Sequence, residues 1–243
     1  MGTPPRKKYR QLIANLRPHV RPDFFYVNIG ANDGITNDPI FPFIEKYNWH
    51  GIQVEPVLST FNQLKINLAS FKNTIFENSA VVGNKGKQGK TREMYHFPSY
   101  LTDDCNLLGQ ISSLNTNTLN HTLEHLKNHT NPIEELETLT IPIEEAKKHI
   151  TKSPVNCLHF EELMEKHGIK KFDFLNIDTE GLDYEIIMSM EIQKYLPSII
   201  CVETVHFDSY ESGEFTKYME KNNYIRIQKF TLYSEVYVIA KKT

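Results

Sequence analysis

The sequence has few cysteines, little net charge and no long apolar run. Its three cysteines, Cys105, Cys157 and Cys201, show no CxxC spacing, which predicts reduced thiols of an intracellular protein rather than a disulfide framework. A formal net charge of only -3 lacks the strongly basic character of most nucleic-acid-binding proteins. No stretch approaches the roughly 18 apolar residues of a membrane span, and MGTPPRKKYRQLIANL lacks the apolar region of a signal peptide. We therefore expect a cytoplasmic protein that binds no nucleic acid and spans no membrane.

Strand-like runs alternate with segments of helical periodicity, which predicts an α/β fold with a parallel sheet. The predicted strands are residues 24–29, 51–56, 74–82, 172–178 and 198–203. A helix is predicted over residues 157–168. The last two strand-like runs, YIRIQKF and SEVYVIAKK, are joined by only a few residues and must pair antiparallel. The sequence predicts a mostly parallel seven-stranded sheet that ends in an antiparallel C-terminal hairpin.

The length and composition predict a single domain over residues 1–243. Residues 1–23 are predicted to be an N-terminal helical extension. Residues 84–150 interrupt the strand-helix alternation and are rich in Asn, Thr, His and Leu. Insertions of this kind lie at the surface and commonly carry function, so we predict a lid or substrate-selecting segment, with a surface loop of no function as the alternative.

Two groups of side chains in the inserted segment have more than one interpretation. His121, His125 and His129 share one face of a predicted helix, but no acidic or cysteine partner lies at ligand spacing, which favours a solvated polar face over a metal site. The aromatic residues near its start either stack on a sugar face or belong to the core. These aromatic residues are Tyr95, Phe97 and Tyr100.

A glycine turn, GANDG, follows the first strand. It lacks the G-x-G-x-x-G pattern that admits a pyrophosphate, which disfavours an NAD-dependent oxidoreductase. Gly30 lets the backbone turn against a ligand, while Asn32 and Asp33 offer polar groups beside it. Glu55 lies about 20 residues after Gly34 at the end of the next strand, where a carboxylate can accept hydrogen bonds from both ribose hydroxyls. Together these features predict an adenosine-containing ligand such as S-adenosylmethionine.

The segment FLNIDTEGLDYEII places Asp178, Glu180 and Asp183 at or shortly after the end of a buried strand. Such strand ends face the ligand crevice of an open α/β sheet. Carboxylates crowded together repel one another, so we predict that Asp178 and Glu180 belong to the site. Asp183, already in the following helix, fits a capping role. The next strand also ends in an acid, which adds Glu203 and His206 to the candidates.

Five segments, in the order VNIGANDGITNDPIF, GIQVEPV, ENSAVV, ISSL and FDFLNIDTEGLDYEII, resemble the FkbM family of S-adenosylmethionine-dependent O-methyltransferases. The resemblance covers roughly residues 24–83 and 155–203. It implies a Rossmann-like class I methyltransferase fold, of which a parallel sheet with an antiparallel hairpin is the outline. It also implies methyl transfer to a hydroxyl, commonly on a sugar or a polyketide-type product, with a rhamnose-like deoxysugar among the candidates.

The glycine-turn pattern and the resemblance together give a set of cofactor-binding residues. Ser79 and Ala80 would lie near the adenine, and Ser113 at the edge of the site. The family usually has Asp where this chain has Asn28, so Asn28 brings no charge to the methionine end of the cofactor. The full predicted set is Asn28, Gly30, Asn32, Asp33, Glu55, Ser79, Ala80, Ser113 and Asp178.

The predicted chemistry needs alignment of a hydroxyl and removal of its proton, because the sulfonium already activates the methyl group. We predict that Asp178 or Glu180 accepts the proton and that Glu203 or His206 assists or orients the acceptor. A divalent cation such as magnesium between Asp178 and Glu203 is a further option that the sequence does not require. The alternative function is a non-catalytic glycan- or partner-binding module on a methyltransferase scaffold. The chain could also belong to a larger multidomain protein of glycan synthesis.

Overall fold

The computed structural model describes most of the chain. The described residues are 21, 23–36, 38–83, 90–98, 101, 108–109, 111–128, 142–230 and 234–239. The predicted N-terminal extension falls almost wholly outside them, as do Tyr100, Cys105 and His129. Among the helices in these ranges, none combines the length and apolar character needed to cross a membrane. A cytoplasmic location stays a prediction.

The larger of two sheets has seven strands. The strands in chain order are β1 (Phe25–Ile29), β2 (His50–Val54), β3 (Thr74–Glu77), β4 (Ala80–Val82), β5 (Thr91–His96), β6 (Ser112–Ser113), β7 (Thr151–His159), β8 (Phe174–Ile177), β9 (Ile199–Glu203), β10 (Tyr224–Phe230) and β11 (Ser234–Ile239). The larger sheet has the order β10-β11-β9-β8-β1-β2-β3. Along the run β9-β8-β1-β2-β3 every neighbouring pair of strands is parallel. Strand β11 pairs antiparallel with both β9 and β10. This confirms the predicted parallel sheet with an antiparallel C-terminal hairpin.

The strand order reverses at β1. From β1 the chain proceeds to β2 and β3 on one side, then returns to β8 and β9 on the other. Loops at the carboxyl ends of neighbouring strands diverge at such a point and leave a crevice. The loops after β1, β2, β8 and β9 carry most of the predicted site residues, so the topology brings these residues to one edge.

Helices cover both faces of this sheet. The α-helices of the described residues are α1 (Phe41–Tyr47), α2 (Leu58–Asn67), α3 (Thr116–Asn128), α4 (Ile143–Ala146), α5 (Phe160–Lys166), α6 (Asp183–Ser189), α7 (Ile192–Tyr195) and α8 (Ser209–Lys221). Of these, α3 and α4 pack in a separate apolar cluster beside the smaller sheet. Successive side chains of a strand point to opposite faces. Along β1, Tyr26 therefore joins the core under α1 and α2, while Val27 and Ile29 join the core under α5, α6 and α8. Burial on both faces explains why the parallel strands are so uniformly apolar.

The smaller sheet has the order β4-β7-β5-β6 and includes part of the predicted insertion. Here β5 pairs antiparallel with β7 and with β6, so one strand from within residues 84–150 pairs with a strand that follows this range. Phe97, at the end of β5, is buried in a small apolar cluster with Leu119 of α3. Phe97 is therefore a core residue, and Tyr95 packs against the same cluster.

Two predicted element boundaries are wrong. The run 74–82 was expected to form one strand, but it divides at Asn78, whose side-chain amide donates to the carbonyls of Glu55 and Pro56 at 2.8 and 3.0 Å. The divided run contributes β3 to the larger sheet and β4 to the smaller one. The helix predicted over 157–168 begins only at Phe160, because residues up to His159 pair with β4.

Candidate active site

The glycine turn after β1 is pressed against the end of β8. Gly30 adopts a φ of 81°, in the left-handed region that glycine tolerates best. A Cβ atom at this position would lie 1.7 Å from the backbone carbonyl oxygen of Asp178. The backbone amides of Gly30 and Ala31 both donate to the Val54 carbonyl at 3.0 Å. The absence of a side chain thus lets the ends of three strands meet.

Glu55, directly after β2, is tied to this turn. One of its carboxylate oxygens accepts from the Asn32 amide at 3.0 Å, and the other accepts from the Val57 amide at 2.9 Å. Asn32 itself has a positive φ of 49°. Burial raises the pKa of Glu55 to about 7, and the two backbone hydrogen bonds only partly offset this effect. A ligand with hydroxyl donors would favour the charged form of this carboxylate.

Asp33 stabilises the turn and does not line the cavity next to it. Its carboxylate accepts from the amides of Ile35 and Thr36 at 2.9 and 2.7 Å and from the Thr36 hydroxyl at 2.6 Å. The Asn67 side chain donates to the Asp33 carbonyl at 2.8 Å. Its contacts are those of a residue that fixes loop geometry.

Asn28 lies beneath the crevice in a buried polar network. Its amide nitrogen donates to Asp38 at 2.9 Å and to Gln53 at 2.6 Å, and its oxygen accepts from Asn176 at 2.9 Å. Burial raises the pKa of Asp38 to about 7. An aspartate at position 28 would place a second carboxylate against Asp38, which gives a physical reason for the amide in this chain.

A cavity opens where the turn, Glu55 and the end of β8 meet. Together with the open solvent at its mouth, the cavity has an empty volume of about 550 Å³. Of the predicted cofactor residues, those that line it are Gly30, Asn32, Glu55, Ser79, Ala80 and Asp178. The predicted residues that do not are Asn28, Asp33 and Ser113. Ser112 lines the cavity where Ser113 was expected to be near it.

The cavity fits an adenosine-containing cofactor in several respects. Gly30 leaves space for a close approach, and the Glu55 carboxylate reaches the cavity. The Ser79 hydroxyl is buried and makes no hydrogen bond of acceptable geometry to the described residues, so it can serve a ligand. Met94 and Leu114 add apolar wall that sequence reasoning missed, because they reach the cavity only through the smaller sheet.

Glu180, Glu203 and His206 converge beside this cavity. One potential ligand atom of each lies within 4.8 Å of those of the other two. His206 Nε2 is 3.2 Å from Glu180 Oε2, and the Thr122 hydroxyl of α3 donates to the same oxygen at 3.3 Å. The Ser113 hydroxyl donates to the Glu180 carbonyl at 2.8 Å. Three of the four predicted catalytic residues are thus brought together, and the fourth, Asp178, lines the cavity next to the glycine turn.

The charge of His206 depends on the carboxylates around it. Burial alone lowers its pKa, but the hydrogen bond to Glu180 and the charges of Glu180, Asp183 and Asp178 outweigh burial and raise the pKa above its ordinary value. Asp183 also caps the loop before α6, accepting from the amides of Thr179 and Gly181 at 2.9 and 3.1 Å. The sequence predicted that Asp183 caps the following helix, whereas its carboxylate binds amides of the loop before that helix.

The predicted cation site has a different donor set in the structure. Glu203 is grouped with Glu180 and His206, whereas the prediction paired it with Asp178. Two carboxylates and an imidazole suit a divalent metal chemically. The short contact between His206 and Glu180 equally suits an ion pair without metal. A cation between Asp178 and Glu203 stays a prediction.

Comparison with known proteins gives a family and several distant structural likenesses. The model of the methyltransferase FkbM domain matches residues 28–226. Precorrin-6y C5,15-methyltransferase from Geobacter metallireducens GS-15 is 11% identical with a TM-score of 0.41, over 96% of this chain and 87% of that chain. The human methyltransferase 10 domain containing protein is 8% identical with a TM-score of 0.46, over 99% and 85%. The N-terminal domain of human METTL16 in complex with SAH is 9% identical with a TM-score of 0.45, over 100% and 72%.

No curated protein matches the chain. The Rossmann-like class I methyltransferase fold predicted from the sequence is confirmed, and the family match extends from β1 into β10. The glycine turn, Glu55 and the acids after β8 all lie within the matched residues. The chain therefore belongs to the FkbM family of S-adenosylmethionine-dependent methyltransferases.

Proposed function

We propose that this chain is an O-methyltransferase that acts on a hydroxyl of a sugar or glycan, with a rhamnose-like deoxysugar as one acceptor of this class. The observation that supports the proposal is the Glu180–His206 pair at the wall of the cofactor cavity. Glu180 lines that cavity, and its carboxylate is 3.2 Å from His206 Nε2. A carboxylate and imidazole in contact form a proton acceptor of the kind that a weakly acidic hydroxyl requires.

In this proposal the cavity residues hold the cofactor. Gly30 and Asn32 lie against it, Glu55 accepts hydrogen bonds from its ribose, and Ser79 and Ala80 lie near its adenine. Asp178 binds at the same cavity. The remaining predicted residues act indirectly: Asn28 fixes Asp38, Asp33 fixes the glycine turn, and Ser113 fixes the Glu180 carbonyl.

The protein aligns the acceptor and takes its proton. Bound S-adenosylmethionine supplies a methyl group on a sulfonium, with S-adenosylhomocysteine as the leaving group. As the acceptor oxygen bonds to the methyl carbon, the Glu180–His206 pair accepts the hydroxyl proton. The pair is competent when His206 is neutral and Glu180 is charged. Glu203, buried beside the pair, orients the imidazole through its charge.

The first test concerns the cofactor. We expect calorimetry to detect S-adenosylmethionine binding but no NAD binding, and Glu55→Ala to weaken the former by about tenfold or more, or about 1.4 kcal/mol. Glu77→Ala is a matched control, because Glu77 is also a buried glutamate at a strand end but does not line the cavity. Retained binding by Glu55→Ala, or equal losses in both variants, would contradict the assignment of Glu55.

The affinity for S-adenosylmethionine should rise with pH. Ribose hydroxyls favour the ionised form of Glu55, whose pKa is about 7 in the cofactor-free protein, so binding releases a proton. Below that pKa the Glu55 carboxyl group is protonated and must lose its proton before the cofactor binds. We expect the dissociation constant to fall by about tenfold between pH 6 and pH 8, and Glu55→Gln to lose this dependence. Calorimetry in buffers of different ionisation enthalpy measures the proton release, and its absence would contradict the role of Glu55.

The second test concerns the acceptor. A panel of sugars and glycosides is incubated with the protein and S-adenosylmethionine, and products are examined by mass spectrometry and NMR for an ether methyl. Formation of S-adenosylhomocysteine together with N- or C-methyl products would assign N- or C-methylation to the protein in place of O-methylation. Cofactor binding without transfer to any acceptor would favour the non-catalytic binding module. Transfer that stops with EDTA and returns with magnesium would assign the Glu180, Glu203 and His206 donors to a cation.

A further inference from the structure

A second cleft lies beside the Glu180–His206 pair, and His206 is part of its wall. Its volume is about 540 Å³, enough for a small-molecule ligand. The lining residues are Asn117, Thr118, His121, Gly181, Tyr184, Glu185, Val205, His206, Phe207, Asp208 and Glu211. Glu180 lines the cofactor cavity and bonds to His206, which lines the cleft. The pair therefore contributes one residue to each of the two spaces.

Helix α3 of the inserted segment provides one wall of this cleft. The His121 ring is 6.2 Å from the His206 ring. Thr118 lies close to Gly181: a Cβ atom added to Gly181 would lie 2.7 Å from the methyl group of Thr118. The segment predicted to select the substrate thus contacts the loop that carries Glu180.

The walls carry negative charge. Glu185, Asp208 and Glu211 line the cleft, and among its described lining residues there is neither lysine nor arginine. One carboxylate oxygen of Glu185 is buried and makes no hydrogen bond to the described residues, so it can accept from a ligand. His206 also lines the cleft, and its raised pKa lets the imidazole carry a positive charge, but that charge is paired with Glu180. A phosphate, sulfate or carboxylate would therefore meet a net negative charge in this cleft.

Two aromatic side chains give the cleft an apolar face. The Tyr184 and Phe207 rings meet edge to face with centroids 5.5 Å apart. Phe207 in turn packs against Phe215, with centroids also 5.5 Å apart, which fixes its orientation. A rigid aromatic wall beside carboxylates matches a ligand that has both C–H faces and hydrogen-bond donors, as a hexose has.

We propose that this cleft is the acceptor site and that it selects by charge, preferring amine-bearing sugars to neutral ones and excluding phosphorylated ones. The inference rests on the proposed sugar methyl transfer and specifies its substrate class. Through its exclusion of phosphates it also predicts that nucleic acid is not the acceptor.

Matched hexoses test the charge selection without an activity assay. With the cofactor site saturated by S-adenosylhomocysteine, calorimetry compares glucosamine, glucose and glucose 6-phosphate. We expect glucosamine to bind about three- to tenfold more tightly than glucose, and glucose 6-phosphate at least threefold more weakly than glucose. Raising the salt concentration should reduce both differences. Equal affinities, tightest binding of the phosphate, or no binding of any hexose would overturn the inference.

Variants locate the effect in the cleft. Glu185→Gln combined with Glu211→Gln removes two charges and keeps the side-chain shapes, so the preference for glucosamine over glucose should fall about three- to tenfold. Glu214→Gln is the control, because Glu214 lies on the same helix, pairs with Lys217 and does not line the cleft. An unchanged preference in the double variant would contradict the inference. Failure to bind S-adenosylhomocysteine would instead contradict the proposed function.

Discussion

Glu180→Gln is expected to lower kcat by about 10²- to 10⁴-fold, the usual contribution of a proton acceptor. Glutamine keeps the shape of the side chain, so the affinity for S-adenosylmethionine should stay within about threefold of wild type. The loss arises because the variant cannot stabilise the proton on the Glu180–His206 pair. Initial rates at saturating cofactor, on an acceptor from the panel, and calorimetry on the same preparation measure the two quantities separately.

The pH profile distinguishes this role from a structural one. Wild-type kcat should rise with pH through the raised pKa of His206 and then level off, because the pair accepts a proton only when His206 is neutral. In Glu180→Gln the largest influence that raises this pKa is lost and burial lowers it, so the inflection should move to lower pH. NMR titration of the imidazole measures the same shift.

Asp178→Ala tests the alternative that Asp178 is the proton acceptor. If Asp178 were the proton acceptor, kcat of this variant would fall by about 10²- to 10⁴-fold while the cofactor still bound. Under that alternative, kcat of Glu180→Gln would remain close to the wild-type value. Asp178 lines the cofactor cavity, so a loss of cofactor affinity alone is the outcome consistent with the Glu180–His206 assignment.

Gly30→Ala should destabilise the fold by roughly 3 to 5 kcal/mol, from backbone strain and overpacking together. Its Cβ would lie 1.7 Å from the Asp178 carbonyl oxygen, and a backbone atom cannot move aside as a flexible side chain can. Because the turn and the end of β8 would have to separate, cofactor binding should be lost as well. Urea denaturation and calorimetry measure the two effects.

Substitutions at two other glycines separate backbone strain from overpacking as causes of the lost stability. Gly168 also has a positive φ, of 64°, but a Cβ there meets nothing within 4 Å, so Gly168→Ala should cost only about 1 to 2 kcal/mol. Gly213, inside α8 with open space around it, should tolerate alanine and gain up to about 1 kcal/mol. A cost for Gly30→Ala no larger than that for Gly168→Ala would show that the close approach to Asp178 is not decisive.

The sequence predicted the parts of the cavity that local patterns encode. A glycine turn after β1 and an acid after β2 can be read along the chain, and Gly30 and Glu55 line the cavity. Asn32 and Asp33 looked equivalent in sequence, yet Asn32 lines the cavity and Asp33 caps the turn. The difference depends on the direction of each side chain in a left-handed turn, which composition does not reveal.

The sequence did not predict what the smaller sheet and the inserted segment bring to the site. Met94 reaches the cofactor cavity because β5 pairs with β7, about 60 residues later, and no local pattern encodes such pairing. His121 is exposed, as the predicted solvated face requires, and the sequence did not predict that it also lines the cleft beside His206. Tyr184 lies in α6 and Phe207 lies between β9 and α8, and only their tertiary contact makes them a wall.

Glu180 itself adopts a φ of 53°, a conformation in which most residues other than glycine are strained. Selection for a stable fold alone would place glycine there, as in the neighbouring Gly181. Under the proposed role of Glu180 in proton transfer, a glutamate at a position suited to glycine is a compromise between stability and activity. Evolutionary drift that abandoned methyl transfer would therefore be expected to erase this residue early, which makes position 180 an indicator of whether a relative is still an enzyme.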